Sequence, residues 1–351
     1  MSVSNLKGAY RMDSVQNKKN YDAIDIAKFV ASILIFTMHC NVFGNEYIYN
    51  LALGITARWG VPFFFLSSAF FLFSKSENGN IKKDTLIRYV NRLMMLYVVW
   101  AVINLPNIFY QRLYSKNLHC IYTWLVFLKN SILSSTFTAS WYLGSSIFSA
   151  WIVFLLSKKF RTKTVIGIVF FTYILCALSS VYCGILPPAA GRVLIIFDFP
   201  WNIFNGCVYF AIGKYVYENR ESITKICTKK MSVVFFFLFY VLFAVEIYVS
   251  KYYGYFRTDD VAFSTICFAF FSFLFCLQSD IRIKNGILFR KLSIVIFCCQ
   301  GNVLVVNSFL KKAGLPSFIS YMVSAGIITI ICFLVLYIQK QKRWKWAKYL
   351  T

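Results

Sequence analysis

Three residues of the first apolar segment, Asp25, Lys28 and His39, can hold a charge or move a proton, and their spacing puts them on one line. Lys28 and His39 are eleven positions apart, about three helical turns, so they differ by roughly 20° in direction and lie ~16 Å apart along the axis. Asp25 and Ser32 share the stripe, and the run from Phe29 to Met38 is almost wholly apolar. An ionisable side chain inside a membrane helix is costly and marks a functional site by default. Imidazole is the group best suited to take a proton near neutral pH, and His39 is one of only two histidines. Each residue also has a plainer reading. His39 packs between helices against a hydroxyl or carbonyl, Lys28 snorkels to the interface, and Asp25 pairs with Lys28 or caps the helix. Their alignment on one stripe favours chemistry over three separate coincidences.

A second candidate opens the next segment, in Thr56-Ala-Arg58-Trp-Gly-Val-Pro62-Phe-Phe-Phe. Pro62 cannot donate to the carbonyl of Arg58, so a kink is expected there, widening a cavity into which the guanidinium points. The alternative is an arginine that reaches lipid headgroups. Lys82, Lys83, Arg88 and Arg92 precede the third segment, where they set topology or hold phosphates. Asp198 sits in a segment broken by Pro200 and is expected to line the cavity, whereas Glu246 reaches water near a helix end.

The elements that must position these residues are membrane helices. The chain of 351 residues is 59% hydrophobic and only 14% charged, where soluble domains run nearer a quarter charged. The segments lack the ten-residue alternation of a β-barrel, so an all-α, polytopic helical bundle is expected. Ten spans are read at 25–43, 51–73, 93–111, 141–157, 164–183, 193–213, 231–250, 261–278, 292–310 and 318–339. They form one membrane domain, 25–339, between an N-terminal segment 1–24 and a basic, aromatic tail 340–351, both cytosolic. That tail suits an anionic inner leaflet, with its Trp residues as interfacial anchors. With this topology Lys and Arg divide 27 to eight in favour of the cytosolic side. The net charge of +24 is therefore a topology signal, and no nucleic-acid partner is expected. The stretch Leu118–Leu133 is too short and mixed for a span and reads as an interfacial or re-entrant helix. Most of the eleven cysteines lie in apolar segments, where they act as small hydrophobes. No C-x-x-C pair occurs, so neither a metal site nor a disulfide framework is expected. Some 24 mostly polar residues precede the first span, which does not read as a cleavable signal.

Taken in order, these motifs resemble the acyltransferase type 3 family of integral membrane proteins, which move acyl groups, usually acetyl, from acyl-CoA to hydroxyls of glycans and other acceptors. Asp25-x-x-Lys28-x10-His39 is similar to the family's first-span pattern, with Lys28 at its arginine position. Arg58-Trp-Gly-Val-Pro62-Phe-Phe-Phe, Arg92-Leu-Met-Met-Leu-Tyr97, Trp141-Tyr142-Leu143 and Asn202-x-Phe204-x-Gly206 resemble its later blocks. Besides Lys28, three further places depart. Ala139 and Ser140 stand beside Trp141 where a histidine is common, Trp201 replaces an arginine, and Gln300 replaces a late-span histidine.

The resemblance implies a plasma-membrane O-acyltransferase with acetyl-CoA as co-substrate and no bound cofactor. A surface or lipid-linked polysaccharide is the implied acceptor, and polysaccharide-biosynthesis proteins are implied partners. His39 is the implied general base, and Arg58 steadies the oxyanion or orients the donor. Asp25, Lys28, Arg88, Arg92, Trp141, Tyr142 and Gln300 are the implied donor or substrate contacts. The thioester is expected to enter along the Lys28–His39 stripe, whose length matches a pantetheine arm. Two rivals remain open: a glycan or lipid transporter, which would need paired broken helices, and an inactive accessory membrane protein.

Overall fold

The computed structural model describes residues 21–76, 81–109, 121–341 and 343–351. Among them are fifteen α-helices and no strand. In chain order they are α1 (Asp22–His39), α2 (Tyr47–Ala57), α3 (Gly60–Phe73), α4 (Lys83–Ile103), α5 (Leu105–Ile108), α6 (Ile121–Leu133), α7 (Ser140–Ser157) and α8 (Thr162–Leu178). Then follow α9 (Pro188–Ile196), α10 (Gly206–Glu218), α11 (Arg220–Ile226), α12 (Lys229–Tyr252), α13 (Phe263–Leu277), α14 (Gly286–Lys312) and α15 (Ser317–Lys340).

Six of these are long and apolar enough to cross a membrane: α2–α3 taken through its break, α4, α7, α12, α14 and α15. A seventh is made if α9 to α10 is one span bent by 47°. Helices α6, α8 and α13 are apolar but shorter. Their outer faces are apolar too: Phe237, Val241 and Tyr248 of α12 and Phe333 and Tyr337 of α15 are exposed, as lipid-facing positions should be. The protein is thus an all-helical membrane bundle, as its composition predicts.

Three expected spans differ in shape or length. The segment 193–213 is two helices with a 3₁₀ turn, Phe199–Trp201, between them, because Pro200 cannot continue a helix and Asp198 adopts a left-handed backbone, φ 49°. The third and ninth spans begin earlier than expected, at Lys83 and Gly286, since basic side chains extend a helix past its apolar part by snorkelling. Within the expected loop 112–140, Ile121–Leu133 is helical and its neighbours 112–120 lie outside the described residues.

Helices α1 and α14 run in parallel along their whole lengths. At one end Asp25 holds Arg290, and at the other Asn307 and Lys311 donate to the carbonyl of Cys40. The approach is closest at Gly286, where an added Cβ would lie 2.2 Å from Asp22 Oδ1. Helices α3 and α10 also run parallel and nearly touch backbone to backbone: a Cβ on Gly213 would stand 2.6 Å from Ala69 Cβ and 2.7 Å from the Leu66 carbonyl oxygen. Around this pair an aromatic core closes, with Phe65 stacked on Tyr209 and Phe70 edge-on to Tyr217 and Phe273.

The tail does not simply lie on a surface. Residues Lys345–Leu350 form a 3₁₀ helix that packs back on the bundle. Trp100 of α4 donates to the Leu350 carbonyl, and Gln339 of α15 donates to the carbonyl of Ala347 and to Thr351 Oγ1. Ala347 and Leu350 are buried, while Trp344 and Trp346 stay exposed.

Candidate functional site

The break between α2 and α3 falls where the proline rule places it. Arg58 and Trp59 leave the helix, the Arg58 amide still donates to Gly54, and Pro62 supplies no N–H for the Arg58 carbonyl. The second break, at 197–205, faces it. Between the two breaks, the end of α1, the start of α7 and the middle of α14 lies a cavity of about 380 Å³.

His39, Arg58, Trp141 and Gln300 all line this cavity, from four different helices or breaks. Asp198 lines it as expected, together with Trp201, Asn205 and Asp260. His39 makes no hydrogen bond to any described residue, and its exposed surface faces this cavity. Gln300 is 2% exposed, yet its amide is also unengaged, and its buried Oε1 has no partner among the described residues. Asn205 donates to the Pro200 carbonyl at 2.7 Å but leaves its buried Oδ1 unpartnered. The Trp141 indole N–H makes no hydrogen bond to any described residue. Buried polar atoms normally find partners, so this concentration of spare capacity around one cavity indicates a ligand site.

Arg58 is not a free cation. Its Nη1 donates to Asp260 and its Nη2 to Asp259, both at 2.5 Å, and the three side chains are 14–19% exposed. These two bonds use two of the five guanidinium N–H donors, and Nε is buried with no partner among the described residues. The two carboxylates come from the loop between α12 and α13, which is pinned to the end of α8: Arg257 N–H donates to the Ser180 carbonyl and Ser180 Oγ to the Thr258 carbonyl. Burial raises the Asp260 carboxyl above its usual range, although Arg58 pulls the other way. Burial acts on Asp259 too, but there the charge and hydrogen bond of Arg58 prevail and the carboxyl lies below its usual range. Beside them Arg257 sits over the Trp201 ring, 5.6 Å from its centroid, and 3.5 Å from Asp198 Oδ1. The Arg257-Thr-Asp-Asp260 cluster was not anticipated from sequence. Its signal was two adjacent acids in a chain with only 13, but loop carboxylates carry little weight in a topology count.

The remaining candidates lie elsewhere. Asp25 neither pairs with Lys28 nor caps its helix: it is buried and gives both oxygens to Arg290, at 2.9 and 2.7 Å. A planar guanidinium fits a carboxylate in this two-pronged way and an ammonium cannot. Lys28 instead lies 5.4 Å over the Phe71 ring, in the field of Asp25, Arg290 and Arg92. The stripe from Lys28 to His39 is not open, because Ala31 and Ser32 are fully buried between the helices. Arg88 and Arg92 are exposed at the Lys28 end, Arg88 bonded to Thr85 Oγ1 at 3.2 Å. Tyr142 stands behind the cavity, its hydroxyl 3.0 Å from Ser68 Oγ and its ring 4.8 Å from that of Phe65. Glu246 does not reach for water; it accepts from the amides of Phe263 and Ser264 and caps the start of α13. No group of metal-binding side chains occurs among the described residues.

A family described as an acyltransferase domain matches residues 21–338. An amino-acid racemase of Enterococcus faecalis is 27% identical over 230 residues, which make up 59% of this chain and 29% of that protein. The match therefore leaves most of the racemase's length uncovered. No solved structure matches. With the family match running from α1 to the end of α15 over a bundle of membrane-length helices, the protein belongs to the acyltransferase family and is a multi-pass membrane member of it.

Proposed function

We propose that the protein moves an acetyl group from acetyl-CoA to a hydroxyl of a membrane-linked or cell-surface glycan. The observation that carries this is the meeting of His39 and Arg58 at one cavity, each with bonding capacity unspent. His39 takes the proton of the acceptor hydroxyl as its oxygen attacks the thioester carbonyl. The Arg58 Nε–H, held still by Asp259 and Asp260, donates to the oxyanion that forms. Collapse expels the CoA sulfur, which receives the proton from His39. An ester and free CoA thiol leave, and every atom is accounted for.

The cavity is at the lower end of the roughly 300–1,000 Å³ usual for small-molecule sites. It accommodates an acyl tip and one acceptor unit, so the nucleotide of CoA stays outside. The cations at the far end of α1 and α4, Lys28, Arg88 and Arg92, suit its phosphates. Since the Lys28–His39 stripe is packed shut, the donor arm requires either a motion of α1 or a route past Tyr142 and Ser68.

A second reading, a transporter for the same solutes, draws on the two broken helices that meet at the cavity. Thiol release separates the two. Purified protein with acetyl-CoA and a glycan acceptor should release CoA thiol, and His39→Ala should lower that rate by about 10²–10⁴-fold. Release at the wild-type rate by His39→Ala would remove His39 from the chemistry. Acceptor-dependent uptake into vesicles with no thiol release would establish the transporter instead.

A further inference from the structure

We propose that the acceptor bound in this cavity is an uncharged, hydroxyl-bearing ring, and that the cavity rejects anionic sugars. This rests on the acyl-acceptor reading above. It goes further by naming the substrate class and the groups that select it.

The first observation is charge. The residues lining the cavity include one permanent cation, Arg58, and two carboxylates, Asp198 and Asp260. Both terminal nitrogens of Arg58 are already engaged by Asp259 and Asp260, and the neighbouring Arg257 is turned to Asp198. Two arginines thus face three carboxylates, Asp198, Asp259 and Asp260, so the permanent charge around the cavity does not favour a uronate, sialate or phosphate. An anion entering here would lose its hydration and meet carboxylates in return.

The second observation is the set of groups that remain. Gln300 offers a whole amide, Asn205 a carbonyl oxygen and Trp141 an indole N–H, all neutral and all without partners among the described residues. Hydroxyls both donate and accept, so they can satisfy all three, whereas carboxylates and phosphate oxygens only accept. The amide oxygens of Gln300 and Asn205 need donors, and an anionic group supplies none. Trp141 and Trp201 add apolar faces of the kind that pack against the C–H side of a sugar ring. Gln300 has a further consequence. An imidazole there could become charged, while the amide stays neutral at every pH.

The test compares two probes that differ at one carbon, methyl β-glucopyranoside and methyl β-glucuronopyranoside. Binding to the full-length protein in nanodiscs is read by saturation-transfer NMR, with mannitol as a background control. The glucoside should give saturation transfer and the glucuronoside at least about tenfold less, the worth of one charge-assisted contact. Gln300→Leu should reduce the glucoside signal several-fold. Asp260→Asn removes one of the two carboxylates from Arg58 at constant size, so the glucuronoside should gain about tenfold. Equal binding of the two probes by the wild type would overturn the proposal, as would absence of glucoside binding. An unchanged glucoside signal in Gln300→Leu that still melts like the wild type would overturn the assignment of that residue. A melt shift in Gln300→Leu moves the decision to Asp260→Asn, where an unchanged glucuronoside signal refutes the charge argument. Thiol release from acetyl-CoA that depends on His39 but is fastest with an anionic acceptor would sink this proposal and leave the acyltransferase reading standing.

Discussion

Replacing Arg58 should damage the protein in two separable ways, one structural and one chemical. Arg58→Met takes the counter-charge from Asp259 and Asp260, which are 19% and 14% exposed and adjacent in the chain. Breaking a buried ion pair from one side costs about 3–5 kcal/mol, because a charge is left desolvated and uncompensated. With two carboxylates stranded together the cost should fall at the upper end, a shift in the folded population of several hundredfold or more. Replacing all three ions removes that penalty, so Arg58→Met with Asp259→Asn and Asp260→Asn should recover most of the lost stability. Catalysis should not recover with it. If Arg58 Nε holds the oxyanion, the triple variant stays about 10²–10³-fold slower than the wild type. Unfolding can be followed with a thiol-reactive dye, since Cys176, Cys207, Cys298 and Cys299 are buried and become reactive only as the bundle opens. The transfer rate is read by CoA thiol release. A single variant as stable as the wild type would refute the structural role. A triple variant that regained both stability and rate would refute the chemical one.

Substitutions at four further positions probe the frame around the site. Gly213→Ala should destabilise by about 1–3 kcal/mol by forcing α10 off α3, while Gly167→Ala, with nothing within 4 Å of the new methyl, should gain up to about 1 kcal/mol of helix propensity; the same dye melt checks both. Glu246→Ala removes the acceptor for two amides at the start of α13 and should cost about 1–2 kcal/mol, read as a lower melting temperature and faster hydrogen exchange at Phe263 and Ser264. Lys28→Arg keeps the charge over Phe71 and should change the KM for acetyl-CoA less than about twofold, whereas Lys28→Met should raise it with kcat unchanged.

The sequence made the helical bundle, the break at Pro62 and the buried polar places of His39, Arg58 and Asp198 legible, each from a local rule: apolar length, a missing amide proton, or a polar side chain where burial is expensive. Trp141 and Gln300 were singled out by the family resemblance alone. What was not legible depends on which helix lies beside which. Helical spacing puts Asp25 next to Lys28, but the structure sets Arg290 closer, and Arg290 is 265 residues away in the chain. The same holds for Asp259 and Asp260, 201 and 202 residues from the arginine they clamp. Periodicity speaks of one helix at a time, and these pairs are made by tertiary packing.

The near-contact at Gly213 bears on how the cavity floor is held. Helices α3 and α10 are locked together there, and a Cβ on Gly206 would likewise lie within 2.8 Å of Phe65, Ser145 and Ser149. Both rods end their regular hydrogen bonding just past this contact, at 58–59 and at 202–205. The locked pair is therefore a common rigid base for the short pieces beyond it, Tyr47–Ala57 and Pro188–Trp201. Phe65, which lines the cavity, belongs to that base, so the cavity floor is set by backbone contact between two helices and not by side-chain packing alone.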